Sequence, residues 1–153
     1  MPGAGSVFTD GIRVLAGYQN KSGKIGGFGG KSLAGESRIE TALRETIEEL
    51  FGVTDVPAEL ISRLPISQNI IEYPEYTCFV YNFEDLQTFI RRAGRYINSP
   101  MYAVFPKTAW ELVQNRILLD SAEVGELYLM PTEHYTMSRS FERDLMETRQ
   151  VST

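Results

Sequence analysis

The chain has a single cysteine, Cys78, in 153 residues. No internal disulfide can form, which argues for a reducing compartment. No basic residue neighbours Cys78 in sequence and no helix start is expected there, so nothing marks its thiol for activation. It reads as a buried strand residue. No apolar run approaches the roughly 20 residues of a membrane span, which excludes a transmembrane helix. Met1 to Gly5 contain no basic group and no apolar run, so no signal peptide is expected and the cytoplasm is the default location. Positive charge is also scarce, with 15 Lys and Arg against 20 Asp and Glu and a net charge of −5. Non-specific attraction to nucleic acid or anionic membrane is therefore not the expected activity. Repeats, low-complexity tracts and composition breaks are absent, and one domain over residues 1–153 is expected.

What is present is ordinary for a packed domain: 42% apolar and 23% charged residues. Ser6 to Thr9 and Ile12 to Tyr18 flank Asp10-Gly11, a pair suited to a tight hairpin turn. A turn over residues 20–24 leads to the glycine-dense stretch from Ile25 to Lys31, where backbone can come close to a ligand. Ser37 and Glu40 form a capping box that predicts a helix from Arg38, with Gly52 as its stop. Ile39, Leu43, Ile47 and Leu50 fall on one side of that helix, and Glu45, Glu48 and Glu49 on the opposite, outward side. Strands are expected over 66–72, 76–83 and 125–130, and helices over 84–92 and from Thr108. The second of these helices carries Trp110, Val113 and Ile117 on one face. Phe141, Leu145 and Arg149 mark a last helix. The order of elements suggests an α+β fold or a mixed sheet between helices.

The chemistry concentrates in Arg44, Glu45, Glu48 and Glu49. The i, i+3, i+4 spacing of the glutamates puts them within reach of one another on a helix. Like charges so placed repel, and a hard divalent cation with oxygen ligands supplies a reason for them. Taken alone, the run would read as a solvated acidic face.

Gly30, Glu36, Arg44, Glu45, Glu48 and Glu49 change that weighting. Their types and spacing resemble the signature of the Nudix hydrolase family. Six such matches arise by chance at roughly 10⁻⁸ to 10⁻⁷ per starting position. Two positions depart from the pattern. Thr46 stands where an aliphatic residue is expected, and Gly52 comes one residue late, after Phe51. Both departures are expected to alter helix packing or its end rather than the chemistry.

The resemblance implies an α/β/α sandwich with a mixed central sheet, and hydrolysis of a pyrophosphate bond in a nucleoside diphosphate linked to another moiety. It implies Mg²⁺ or Mn²⁺ as cofactor, with Glu45, Glu48, Glu49 and the Gly29 carbonyl as ligands. One of the glutamates would serve as base. Arg44, one turn from Glu40 and Glu48, is expected to orient carboxylates. Glu36 would tie the loop to the helix, support the metal shell or meet substrate, and Lys31 would touch phosphate or pair with a glutamate. Glu123 and Glu126 read as strand-edge charge ahead of an extra catalytic carboxylate, and His134 as a surface residue ahead of a substrate contact.

Two other functions compete. Removal of an mRNA cap has the Arg91, Arg92 and Arg95 cluster as its support, though a solvated helix face explains that cluster more simply. A regulatory nucleotide-binding module without catalysis would not need the full acidic set. The partner expected is a small nucleotide, with capped RNA and a homodimer as open alternatives. Substrate choice is expected to reside in residues 60–120, where little resembles the family.

Overall fold

The computed structural model describes residues 2–132, 141 and 143–145. Its strands are β1 (Gly3–Phe8), β2 (Arg13–Gln19), β3 (Lys24–Gly26), β4 (Phe28–Lys31), β5 (Asn69–Tyr73), β6 (Tyr76–Tyr81) and β7 (Val124–Pro131). Its helices are α1 (Arg38–Phe51), α2 (Ala58–Ser62), α3 (Phe83–Ala93) and α4 (Ala109–Gln114). Residues 141 and 143–145 are also helical.

Strand β1 is buried along its whole length because both of its edges and both of its faces are covered. It pairs with β4 antiparallel and with β6 parallel, in the mixed order β4-β1-β6-β5. Ala4 and Phe8 join the core beneath α1, where Leu43, Ile47 and Leu50 are buried. Val7 joins Cys78, Val80, Phe141 and Leu145 in a separate core cluster. The result is a mixed sheet between helices. Small residues make this packing possible: a Cβ on Gly5 would lie 2.0 Å from the Tyr76 hydroxyl.

The expected hairpin between β1 and β2 is corrected. Asp10 Oδ1 accepts from the amides of Ile12 and Arg13, and Thr9 bridges Val14, so the turn forms. The strands then separate, because β4 and β6 already occupy the hydrogen-bonding edges of β1. Strand β2 instead centres a second, antiparallel sheet ordered β3-β2-β7.

Helix α1 starts and stops where the sequence predicts. Ser37 and Glu40 make both bonds of the capping box, and Gly52 closes the helix in the left-handed region at φ 65°. Thr46 is buried on the packing side, and its hydroxyl meets Ser6 Oγ at 2.9 Å across the α1–β1 contact. The expected face of α4 is corrected. Val113 of that face is half-buried against the core, but Leu112 is the fully buried residue, while Trp110 is 67% exposed and Ile117, beyond the helix end, is 41% exposed. Leu112 anchors this short helix, with Ala109 and Val113 packed beside it. Cys78 is buried, which pushes its thiol far above the ordinary range and agrees with a packing role. His134 and Arg149 lie outside the described residues.

Candidate active site

Arg44 organises the signature residues. Its Nε donates to Glu36 Oε2 at 2.7 Å and its Nη2 to Glu36 Oε1 at 3.0 Å, a two-pronged pairing. Its Nη1 donates to Glu45 Oε1 at 2.9 Å and lies 3.1 Å from Glu48 Oε2. Its Nη2 also reaches the Lys31 carbonyl at 3.0 Å. One side chain thus joins the loop before α1, the end of β4 and two carboxylates of α1. The expected neighbour Glu40 is not among its partners, because Glu40 is engaged by the Ser37 amide in the capping box.

Glu36 fastens the loop to the helix. Besides Arg44, it accepts the Leu33 amide at 3.0 Å and lies 2.8 Å from the Thr41 hydroxyl. The Arg44 guanidinium, with help from those groups, holds its carboxyl down at about 2. Glu36 in turn stabilises the charge on Arg44, whose pKa rises further.

The glutamates of α1 do not face outward as their helical position predicts. Glu49 is only 5% exposed, and its Oε1 accepts the Gly29 amide at 2.7 Å. The cause is β4, which packs directly on α1. Glycine makes that approach possible: a Cβ on Gly30 would stand 2.6 Å from the Glu45 carboxyl carbon. Burial is the largest effect raising the carboxyl of Glu49 well above its ordinary value, and Glu123, Glu45 and Glu48 add to it. Burial likewise raises Glu45, against the opposing pull of Arg44.

Glu123, read from the sequence as strand-edge charge, is exposed at the start of β7 and stands close enough to influence both Glu45 and Glu49. With Glu48 and Glu49 it lines a cavity of about 430 Å³, whose other walls include Val53, Pro100, Met101 and Leu119. Glu126 lies elsewhere, hydrogen-bonded by the Tyr128 hydroxyl. The Lys31 side chain is exposed and, among the described residues, pairs with no carboxylate. Arg92 donates to the Arg63 carbonyl at 2.7 Å, and Arg91 and Arg95 are exposed.

Sequence reasoning passed over Arg116. It is 7% exposed, and its guanidinium donates to the carbonyls of Glu49 (2.8 Å), Leu50, Val124 (3.0 Å) and Gly125. Its Nη1 also lies 3.2 Å from the Tyr102 hydroxyl. A lone cation directly before the apolar run Ile117-Leu118-Leu119 was the available signal.

Among the described residues, no group of three or more acidic, thiol or imidazole side chains already stands arranged to hold a metal ion. Arg44 draws Glu45 and Glu48 toward itself. The donor chemistry nevertheless fits a hard divalent cation. Glu48 and Glu123 are close enough to act on Glu45, as are all three on Glu49, and no ion pair of Arg44 reaches Glu49.

No protein-family model and no curated protein matches the chain. Among solved structures it is similar to the bifunctional NMN adenylyltransferase/ADP-ribose pyrophosphatase from Francisella tularensis. The complex of that protein with AMP and a Mn ion gives a TM-score of 0.54 at 9% identity, covering 97% of this chain and 41% of that one. A second structure of it gives 0.55 at 9% identity, over 97% and 40%. The chain thus spans about two fifths of that protein's length. The MutT Nudix hydrolase from Burkholderia pseudomallei matches at 14% identity over 94% of each chain, with a TM-score of 0.49. At such identities the likeness is one of fold, which this chain shares with a stretch of the Francisella protein.

Proposed function

We propose that this chain is a Nudix pyrophosphohydrolase that cleaves, with Mg²⁺ or Mn²⁺, the phosphoanhydride of a nucleoside diphosphate linked to another moiety. The observation that carries the proposal is the meeting of the signature residues. Arg44 joins Glu36, Glu45 and Glu48, Glu49 is tucked against the Gly29 amide, and Glu123, directly before β7, lines a cavity with Glu48 and Glu49.

Glu45, Glu48 and Glu49, joined by Glu123, are the residues to hold the cation, and the Gly29 carbonyl is the backbone ligand the resemblance implies. When bound, the ion neutralises the diphosphate and polarises the phosphorus under attack. Arg44 orients two of the carboxylates, and Glu36 keeps Arg44 in place. Water attacks phosphorus, the bridging P–O bond breaks and the bridging oxygen leaves with the other phosphate. A carboxylate of this set takes the proton from the water. Glu123 suits that role because it approaches the cavity from the side opposite α1.

A second cavity, of about 340 Å³, adjoins Gly29 and Gly30 of the same glycine strand. Phe28, Tyr76 and Phe141 give it aromatic surface, and Gln19 and Asp144 give it hydrogen-bonding groups. That mixture suits a nucleobase. The test is incubation with a panel of nucleotide sugars, dinucleotides, nucleoside triphosphates and capped RNA, with Mg²⁺ or Mn²⁺ and identification of products. Release of a nucleoside monophosphate from one or more small members is expected. No turnover of any member at high protein concentration refutes the proposal.

A further inference from the structure

Arg116 is a buried cation for which, among the described residues, no acidic partner is found within ion-pair distance. Placing a charge in the interior is unfavourable unless its donors are satisfied, and here they are satisfied by neutral groups. The choice of acceptors is informative. The Glu49 and Leu50 carbonyls belong to the last turn of α1, where unpaired carbonyls and the negative end of the helix dipole favour a cation. The Val124 and Gly125 carbonyls open β7, directly after Glu123. The guanidinium is a rigid planar fork, so it sets the spacing of the two backbones it binds.

Those two backbones carry the opposing carboxylates of one cavity: Glu48 and Glu49 on α1, and Glu123 before β7. Like charges on facing walls disfavour each other, so closeness of the walls needs a tie between them. On the outer side, Asn20 Nδ2 donates to the Ala122 carbonyl at 2.7 Å and the Asn20 amide to the Glu123 carbonyl at 3.2 Å, tying the segment to the end of β2. These bonds do not reach α1. Among the described residues, Arg116 is the side chain whose hydrogen bonds span from α1 to β7.

We propose that Arg116 is a positioning residue for hydrolysis. It fixes the separation between the α1 carboxylates and Glu123, and so determines whether both walls share one divalent cation. This rests on the metal-dependent reading above.

The test measures Mn²⁺ affinity of the full chain without substrate, thermal unfolding, and kcat and KM, for Arg116→Met, Arg116→Lys and the control Leu112→Ala. Arg116→Met keeps a long, packable side chain and removes the fork. It is expected to weaken Mn²⁺ binding by about tenfold and to lower kcat more than it raises KM. Arg116→Lys recovers part of the affinity, and Leu112→Ala lowers the melting temperature while leaving affinity within about twofold. In the Arg116→Met background, Glu123→Gln costs less affinity than in the parent, since the two act together. If the parent binds Mn²⁺ and Arg116→Met binds it as tightly, the positioning role is overturned and the metal reading stands. If the parent binds no Mn²⁺ with or without nucleotide, both fall. Should neither Arg116 variant fold, Tyr102→Phe keeps the arginine and removes its hydroxyl partner. A loss of about twofold or more in affinity is expected there, and an unchanged affinity overturns the role.

Discussion

The cavity between α1 and β7 has two walls built in different ways. The α1 wall is local in sequence: its signature residues run from Gly29 to Glu49, and Arg44 finds its partners within 13 residues on either side. The facing wall is assembled from distant pieces. Arg116 lies 67 residues from Glu49, and Asn20 lies 102 residues from Ala122. The first wall supplies the carboxylate cluster, and the second supplies Glu123 and the spacing. Chemistry that depends on helical periodicity can be written into a short segment, whereas spacing between walls has to be set by the whole fold.

The largest expected effect tests the local wall. Glu49→Gln should lower the hydrolysis rate by about 10²-fold or more, measured as kcat on the best substrate of the panel. The same variant should be more stable than the parent when no divalent ion is present. Glu49 has its carboxyl raised in the folded state, chiefly by burial. The folded protein therefore binds its proton more tightly than the unfolded chain. Stability is then lost as pH rises from the ordinary carboxylate range through the raised value. Removing the charge removes that loss. Melting temperatures at pH 5 and pH 8 should differ less for the variant than for the parent, and Mg²⁺ should raise the melting temperature of the parent only.

Glu36, in the same wall, behaves oppositely. Its carboxyl sits at about 2 against an ordinary 4.5, because Arg44 and the Leu33 amide favour the charged form. Its contribution is fully present above the ordinary value and is lost as pH falls between about 4.5 and 2. Glu36→Gln should cost about 2 kcal/mol of stability at pH 7 by chemical denaturation. It should also flatten the acid limb of the stability curve. An acid limb identical in parent and variant breaks the claim that Glu36 fastens the loop through its charge.

Legibility in the sequence follows the same division. The capping box at Ser37 and Glu40, the Gly52 stop and the carboxylate spacing are all set by residues within one helix, and all were readable. The burial of Glu49 was not, because periodicity places it opposite Leu43 and Ile47 and says nothing of β4 packing on that side. The parting of β1 from β2 was hidden for a similar reason: Asp10-Gly11 dictates a turn, but strand partners are decided by β4 and β6. Glu123 was readable as a candidate extra carboxylate, weighed below strand-edge charge, because nothing local in the sequence places it beside Glu49.

The non-local wall gives the next prediction. Glu123→Gln should lower kcat by about tenfold, less than Glu49→Gln, because Glu123 is exposed and water can replace part of what it does. Its melting temperature should stay close to that of the parent. A rate equal to the parent's would mean that this wall serves only as scaffold, and the contrast between the walls would reduce to chemistry against support.

The smallest effect concerns the outer face of the same segment, at α4. Apolar spacing groups Trp110 with Val113 and Ile117 on one face, yet Trp110 is 67% exposed while Leu112 is fully buried. The Tyr102 hydroxyl donates to the Leu112 carbonyl and also contacts Arg116, so the buried side of α4 leads toward the cavity wall. Trp110→Ala should therefore change stability by no more than about 0.5 kcal/mol and leave kcat unaltered. Leu112→Ala should cost about 2–4 kcal/mol. A large destabilisation by Trp110→Ala in urea unfolding would mean that α4 is rotated in solution, with its apolar stripe turned inward. Because Tyr102 bonds to both Leu112 and Arg116, such a rotation would displace Arg116 from the carbonyls of α1 and β7 as well. One inexpensive surface substitution thus reports on the placement of the wall that sets the spacing of the site.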